Sequence, residues 1–247
     1  MTCTTNAIIL RAFMFSDTKM MVDSLSREEG RTSYILKTGK SRSTKNRQQI
    51  FQPLSILELT TEKKSNTNNL STIKEAHVCA PFTSIPFDPY KLAISMFLAE
   101  FLCNVTWSER DSEVLYDYIS ESILWLDNSK SDFSNFHLVF MMRLTRFVGF
   151  YPNMEDFHDG CSFDMLNGCF TETPVAFERT KRKDMLGPDE TRKMYTLMRM
   201  NYGNMHLFKM SHSERNRCLD VIIDFYRLHI PDFRDMKSLP VLRELFC

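Results

Sequence analysis

Residues Arg31–Leu59, RTSYILKTGKSRSTKNRQQIFQPLSILEL, decide the fold. They open on a short β-rich run, Thr32–Leu36, and close on a second apolar run, Phe51–Leu59. Six basic side chains, Arg31, Lys37, Lys40, Arg42, Lys45 and Arg47, lie between Arg31 and Gln49 without an Asp or Glu among them. A loop of one charge sign between two strands repels itself, and a polyanion relieves that repulsion by releasing counterions. Charge alone leaves two readings open, a solvated hairpin loop and a nucleic-acid site.

Working outward, more strands flank this stretch. Ala7–Phe15 is β-rich, Ser16-Asp17 reads as a turn, and Thr18–Ser24 is a weaker strand closed by Glu28-Glu29-Gly30. Downstream, Ile50–Thr61 carries Pro53 near its start, which suggests an edge or a bulge. Lys63–Asn69 is a polar hairpin tip, and Leu70–Cys79 is a fifth strand. Five short strands with little helix between them predict a small barrel of the OB-fold type, whose sheet face and loops hold nucleic-acid strands. Phe13, Phe15 and Tyr34 fall on these strands. Alternation turns some of them outward, where they can stack on bases, and others into the core.

The net charge of zero hides a split. Residues 1–80 hold 12 Lys and Arg against 7 Asp and Glu, whereas the remaining 167 residues hold 19 against 24. The two parts therefore suit different partners. At 247 residues and 43% hydrophobic content, the chain can bury one large core or two modest ones. Seven scattered cysteines without a Cys-x-x-Cys, no signal peptide before Ala7, and no apolar run of membrane-spanning length predict a cytoplasmic protein with reduced thiols and no membrane partner.

The composition changes at Ala80-Pro81, which divides the chain into a barrel domain, residues 1–80, and a helical domain, residues 81–247. Pro81–Asp88 is the linker, with Asp88 an N-cap and Pro89 at the first helical position. Helices are expected over Tyr90–Trp107, Ser108–Leu126 (with Ser108 and Asp111 in a capping pattern), Asn135–Val148, Pro188–Tyr202, Ser211–His229 and Lys237–Phe246. The Ser211–His229 helix opens on a capping box, Ser211 and Glu214. Residues 150–182 lack a helical period and read as an irregular insert. The fold class expected is α+β, a five-stranded OB barrel followed by an all-helical domain.

Few residues carry chemistry. His158, Cys161 and Cys169 lie in one Gly-containing loop, but they are one ligand short of a structural zinc site, and packing by Phe157, Phe163 and Phe170 accounts for the loop without metal. There is no G-x-S-x-G, H-E-x-x-H or P-loop, and only 7 glycines are available, so neither an enzyme nor a cofactor is expected. Arg179, Lys181, Arg182 and Lys183 form a second basic patch, which either extends a nucleic-acid path or is a solvated loop.

Several segments resemble the bacterial RecO family of recombination mediators. They are Ala7–Arg11, Ser16-Asp17, Ser26–Arg31, Lys37-Thr38-Gly39-Lys40, Gln52–Leu59, Leu70–Ala76 and, at the far end, Leu239–Leu245. The resemblance implies an OB-fold and a helical domain. It implies binding of single- and double-stranded DNA, annealing of complementary strands, and help in loading RecA onto DNA coated by single-strand-binding protein. RecR and the C-terminal tail of single-strand-binding protein are the implied partners, with a nucleoid-associated location. Many members hold a four-cysteine zinc module after the helix that corresponds to Asn135–Val148. Here only Cys161 and Cys169 remain, so no metal is expected.

On this reading Arg11, Arg31, Lys37, Lys40, Arg42, Lys45 and Arg47 are the DNA-binding candidates. Arg143 and Arg146 are candidates to pair with the tail carboxylate. The competing readings are a protein-interaction scaffold without catalysis and an RNA-binding OB-fold protein.

Overall fold

The computed structural model describes residues 2–39, 48–62, 70–107, 113–173 and 184–245. They form two compact units: Met1–Asn128 with Met236–Leu245, and Ser129–Asp235.

The first unit is built on five strands, β1 (Thr2–Ser16), β2 (Lys19–Ser26), β3 (Gly30–Lys37), β4 (Ile56–Glu62) and β5 (Thr72–Val78). They close into a barrel in the order β1-β2-β3-β5-β4. β1 is 15 residues long and serves both neighbours, its first half pairing with β4 and its second half with β2. The ladder to β2 slips between Ile9 and Arg11. That extra residue resets the alternation, so Ala7 and Ile9 face the barrel core before the slip and Ala12 does so after it. Val22, Tyr34, Leu36, Phe51, Leu57, Leu59 and Ile73 complete the core. Ile8 and Leu10 are buried on the opposite face of β1, where helix α1 (Pro89–Val105) packs, so the strand reads apolar without a break. Closure is made by a short parallel ladder, Ile35 with Thr72 and Leu36 with Ile73.

Phe51 and Leu54, within the strand expected over Ile50–Thr61, are buried but lie ahead of the strand observed, Leu54 in a turn, and β4 begins only at Ile56. Leu54 takes φ 64° there, a left-handed conformation that no strand accommodates. Asp88 caps α1 by accepting from the backbone N–H groups of Tyr90 and Lys91, with Pro89 at the first helical position. Helix α2 (Glu113–Asn128) follows. Ser108, Asp111 and the polar tip Lys63–Asn69 lie outside the described residues.

In the second unit, helix α3 (Phe136–Leu144) is buried on every side except at Arg143. It packs against α4 (Pro188–Arg199) and α5 (His212–His229). The capping box at α5 is present in full. The insert expected to be irregular contains two short strands, β6 (Ser162–Asp164) and β7 (Cys169–Thr171), which form a sheet with β8 (Met185–Leu186) just beyond it, in the order β7-β6-β8. Strands of two or three residues are too short to show a period of two in sequence. A last helix, α6 (Leu239–Glu244), belongs to the first unit and packs on α1. Glu100 of α1 accepts the Lys237 and Ser238 N–H groups at 2.9 and 2.8 Å just before α6 begins.

Candidate nucleic-acid interface

The antiparallel registers of β1, β2 and β3 set the outer face of the barrel. Paired residues share a face, so Phe13 lies beside Met21 and Ile35, and Arg11 beside Asp23 and Ser33. At the far end Lys19 stands opposite Lys37. Two like charges directly opposite cost stability, and no carboxylate among the described residues pairs with either. A second slip, between Met14 and Ser16, leaves Phe15 without a cross-strand partner. Phe13, Met14 and Phe15 are 39%, 51% and 64% exposed.

Asp23 organises the inner end of this face. Its carboxylate is buried and accepts from Arg11 Nε at 3.1 Å, from the second Arg11 nitrogen at 2.8 Å, and from the Ser33 hydroxyl at 2.6 Å. Arg31 approaches the same carboxylate at 3.5 Å and reaches the Cys103 sulfur of α1 at 3.8 Å. Two guanidinium groups thus share one carboxylate, which leaves one positive charge uncompensated. The Arg11 side chain is 60% exposed and carries that charge outward, with its guanidinium 4.8 Å from the centre of the Phe13 ring. The Arg31 side chain is only 8% exposed. Its charge serves Asp23 and the contact with α1, not the solvent.

The candidates therefore separate. Arg11 and Lys37 are exposed on one face, and the structure adds Lys19 to them. Arg31 is turned inward. Lys40, Arg42, Lys45 and Arg47 lie outside the described residues, as do Arg179, Lys181, Arg182 and Lys183. Tyr34 fills the barrel core at 0% exposure, and burial pushes its phenol up to about 12, so it is no surface ring. The sequence does not reveal Lys19 and Asp23 as site residues, because one extra residue in β1 decides which side chains meet across the ladder.

The other candidates lie in the second unit. Arg143 is half-buried, and its Nε donates to the Met200 carbonyl at 3.4 Å. Arg146 lies in the turn after α3, not on the helix, and is exposed. Its guanidinium donates to the Tyr151 hydroxyl at 2.8 Å and lies 4.2 Å from the centre of that ring. His158 pairs with Glu172 at 3.4 Å, while Cys161 is buried. Among the described residues no three His, Cys, Asp or Glu side chains gather as metal ligands. No helix among them is long and apolar enough to cross a membrane.

Comparison with known proteins places this architecture. The family model described as recombination protein O N terminal matches residues 1–82, and that described as recombination protein O C terminal matches residues 86–240. The DNA repair protein RecO of Phocaeicola vulgatus is 47% identical over 98% of each chain. Those of Bacteroides fragilis and Flavobacterium johnsoniae are 46% and 33% identical, again over 98% of each chain. With both halves matched and relatives aligned along nearly the whole length, the chain belongs to the RecO family of DNA repair and recombination proteins.

Proposed function

We propose that this protein is a recombination mediator without catalytic activity. It binds single- and double-stranded DNA through the outer face of β1–β3 and the basic segment that follows Lys37, and anneals complementary strands. The observation that carries the reading is the exposed cationic face of Arg11, Lys19 and Lys37, on which the buried carboxylate of Asp23 is already held by two arginines. Lys40, Arg42, Lys45 and Arg47 continue that charge in sequence. Arg31 contributes by fixing Asp23 and, through it, Arg11. The mechanism is electrostatic. Cations that neutralise phosphates on two strands together lower the repulsion between them, so base pairing proceeds.

On the same reading the protein helps load RecA onto DNA coated by single-strand-binding protein, with RecR as a partner. The C-terminal tail of single-strand-binding protein pairs its carboxylate with exposed Arg146, and Arg143 supports that site. Residues 1–80 form the DNA-binding domain and residues 81–247 the helical domain. The protein works in the cytoplasm on the nucleoid, without metal or cofactor.

The test is binding of a fluorescent single strand across a salt series, with annealing to its complement in the same buffers. A logarithmic affinity falling linearly with logarithmic salt is expected. Reversing Lys40, Arg42 and Lys45 together to Glu should weaken binding by about 100-fold or more and flatten the slope by about 2, because roughly 0.7 counterions are released per phosphate contact on a single strand. Circular dichroism checks that the variant is folded. Unchanged affinity at low salt would sink the reading and favour a protein-interaction scaffold, and stronger competition by RNA than by DNA would point to an RNA-binding barrel.

A further inference from the structure

Cations bind the phosphates of a single strand and of a duplex alike, so charge alone gives the barrel face no means to distinguish them. The same face carries a second kind of group. Phe13 and Phe15 are both exposed, two residues apart on β1, beside Met14, which is also exposed. Large rings on a strand ordinarily turn into a core or under a helix, as Tyr34 does in this barrel. Among the described residues neither ring is buried in that way, and the second slip in β1 releases Phe15 from the cross-strand pairing that would pack it. Phe13 is held in place by the Arg11 guanidinium, which Asp23 itself fixes.

We propose that Phe13 and Phe15 are the specificity residues of this face, a two-ring platform on which unpaired bases stack while Lys19 and Lys37 hold the adjoining phosphates. This rests on the DNA-binding reading above and sharpens it. Charge identifies the occupant. The rings lie on β1, two and four residues beyond exposed Arg11, while Lys19 and Lys37 stand at the ends of β2 and β3. The buried Asp23 is already satisfied, so the patch suits an anion with flat apolar parts. One exposed carboxylate, Asp17, lies in the turn between β1 and β2. Spacing identifies the state of the nucleic acid. Residues two apart on a regular strand are separated by about 6–7 Å, roughly twice the 3.4 Å rise between stacked bases on a strand, and the slip at Phe15 takes the second ring off that regular ladder. Neighbouring bases in a duplex are therefore too close to seat on both rings, and they present only their edges. Bases of an unstacked strand meet neither obstacle.

The experiment uses the full chain with Phe13→Ala/Phe15→Ala, and measures single-strand and duplex affinity across the same salt series. Thermal melts check that these exposed positions leave folding intact. Each lost ring should weaken single-strand binding by about 10-fold. The salt slope should stay as in the wild type, and duplex affinity should be unchanged. Phe13→Tyr/Phe15→Tyr should restore single-strand binding, and Phe13→Leu/Phe15→Leu should not. In Phe15→Trp, the added indole fluorescence should be quenched by oligo(dT) and not by a duplex. Equal losses on single strand and duplex would overturn the platform, as would a Leu variant that binds like wild type. So would Ala variants without effect, which would assign the patch to a protein or a lipid surface. Failure of the wild type to bind DNA with a salt slope would instead sink the underlying reading. A wild type that binds while the ring variants do nothing removes only the platform.

Discussion

Asp23 is the residue on which the barrel face turns. A carboxylate in mid-strand looks like a solvent-facing position, and only the slip after Ile9 places it opposite Arg11. Its removal leaves the Arg31 guanidinium buried and unpaired, and breaking one side of a buried pair is far costlier than losing a surface ion pair. Asp23→Ala should lower stability by about 3 kcal/mol, read as a fall in the urea midpoint at unchanged slope. Arg11→Ala, at an exposed partner, should change it by less than about 1 kcal/mol. His137 supplies a second case. Burial, with the Arg215 charge added to it, pushes its imidazole down to about 3. Below its ordinary value of 6.5 the unfolded chain takes up a proton that the folded one refuses. Stability that is complete above pH 6.5 should therefore fall by about 1 kcal/mol per pH unit as the pH drops towards 3. Urea midpoints at stepped pH should show this trend, and His137→Phe should flatten it.

Among the elements, the helices were the most legible in sequence. Asp88, Pro89 and the pair Ser211 and Glu214 are local signals, and each sits where its cap is found. Strands were legible as runs but not as faces, because the turn at Leu54 and the slips in β1 depend on backbone geometry that no residue type encodes. The linker before α1 is fixed by a contact across the sequence that its proline content does not reveal. Asp127, near the end of α2, accepts the backbone N–H groups of Thr83, Ser84 and Ile85 at 2.8, 2.9 and 2.8 Å. Burial alone would raise the pKa of this carboxyl. The three backbone donors outweigh burial and hold it below the ordinary carboxylate range. The buried Lys91 ammonium adds donations to the Ser84 hydroxyl at 2.7 Å and the Asp127 carbonyl at 3.1 Å. Asp127→Ala orphans three donors together and should cost about 3 kcal/mol. Asp127→Asn should cost less, because its carbonyl oxygen still accepts. The wild-type contribution should disappear as the pH falls through the lowered carboxyl pKa, below its ordinary 3.8, and the difference between wild type and Asp127→Asn in acid unfolding measures it.

At the scale of the whole molecule, a basic first third and an acidic remainder are legible directly in the sequence. The arrangement of the candidate site was harder to read, because Arg11, Lys19 and Lys37 come from three different strands. The thiols report on the packing of both units. Cys3 and Cys79 are exposed, while Cys161 and Cys218 are buried, and burial pushes the Cys218 thiol up to about 11. In native protein a thiol reagent should modify Cys3 and Cys79 quickly and Cys161 and Cys218 only on unfolding. Cys3→Ser/Cys79→Ser should remove two equivalents from the fast phase of the colour reaction.

The parallel ladder that closes the barrel has a further consequence. It is two residue pairs long, whereas every other seam is a longer antiparallel ladder. Lys37 follows Leu36 at one end of it and leads into the basic segment, and Thr72, at the other end, pairs with Glu62, from which the chain runs to the next connection. This is the clasp of the barrel, and its amides, with the Ile35 N–H on the Ser71 carbonyl at 2.9 Å, should exchange with deuterium sooner than those of β1 and β2. A strand of nucleic acid held by Lys19 and Lys37 would lie next to that clasp and slow its opening, so the slowing of exchange at Ile35 and Leu36 becomes a gauge of occupancy that needs no label on the DNA.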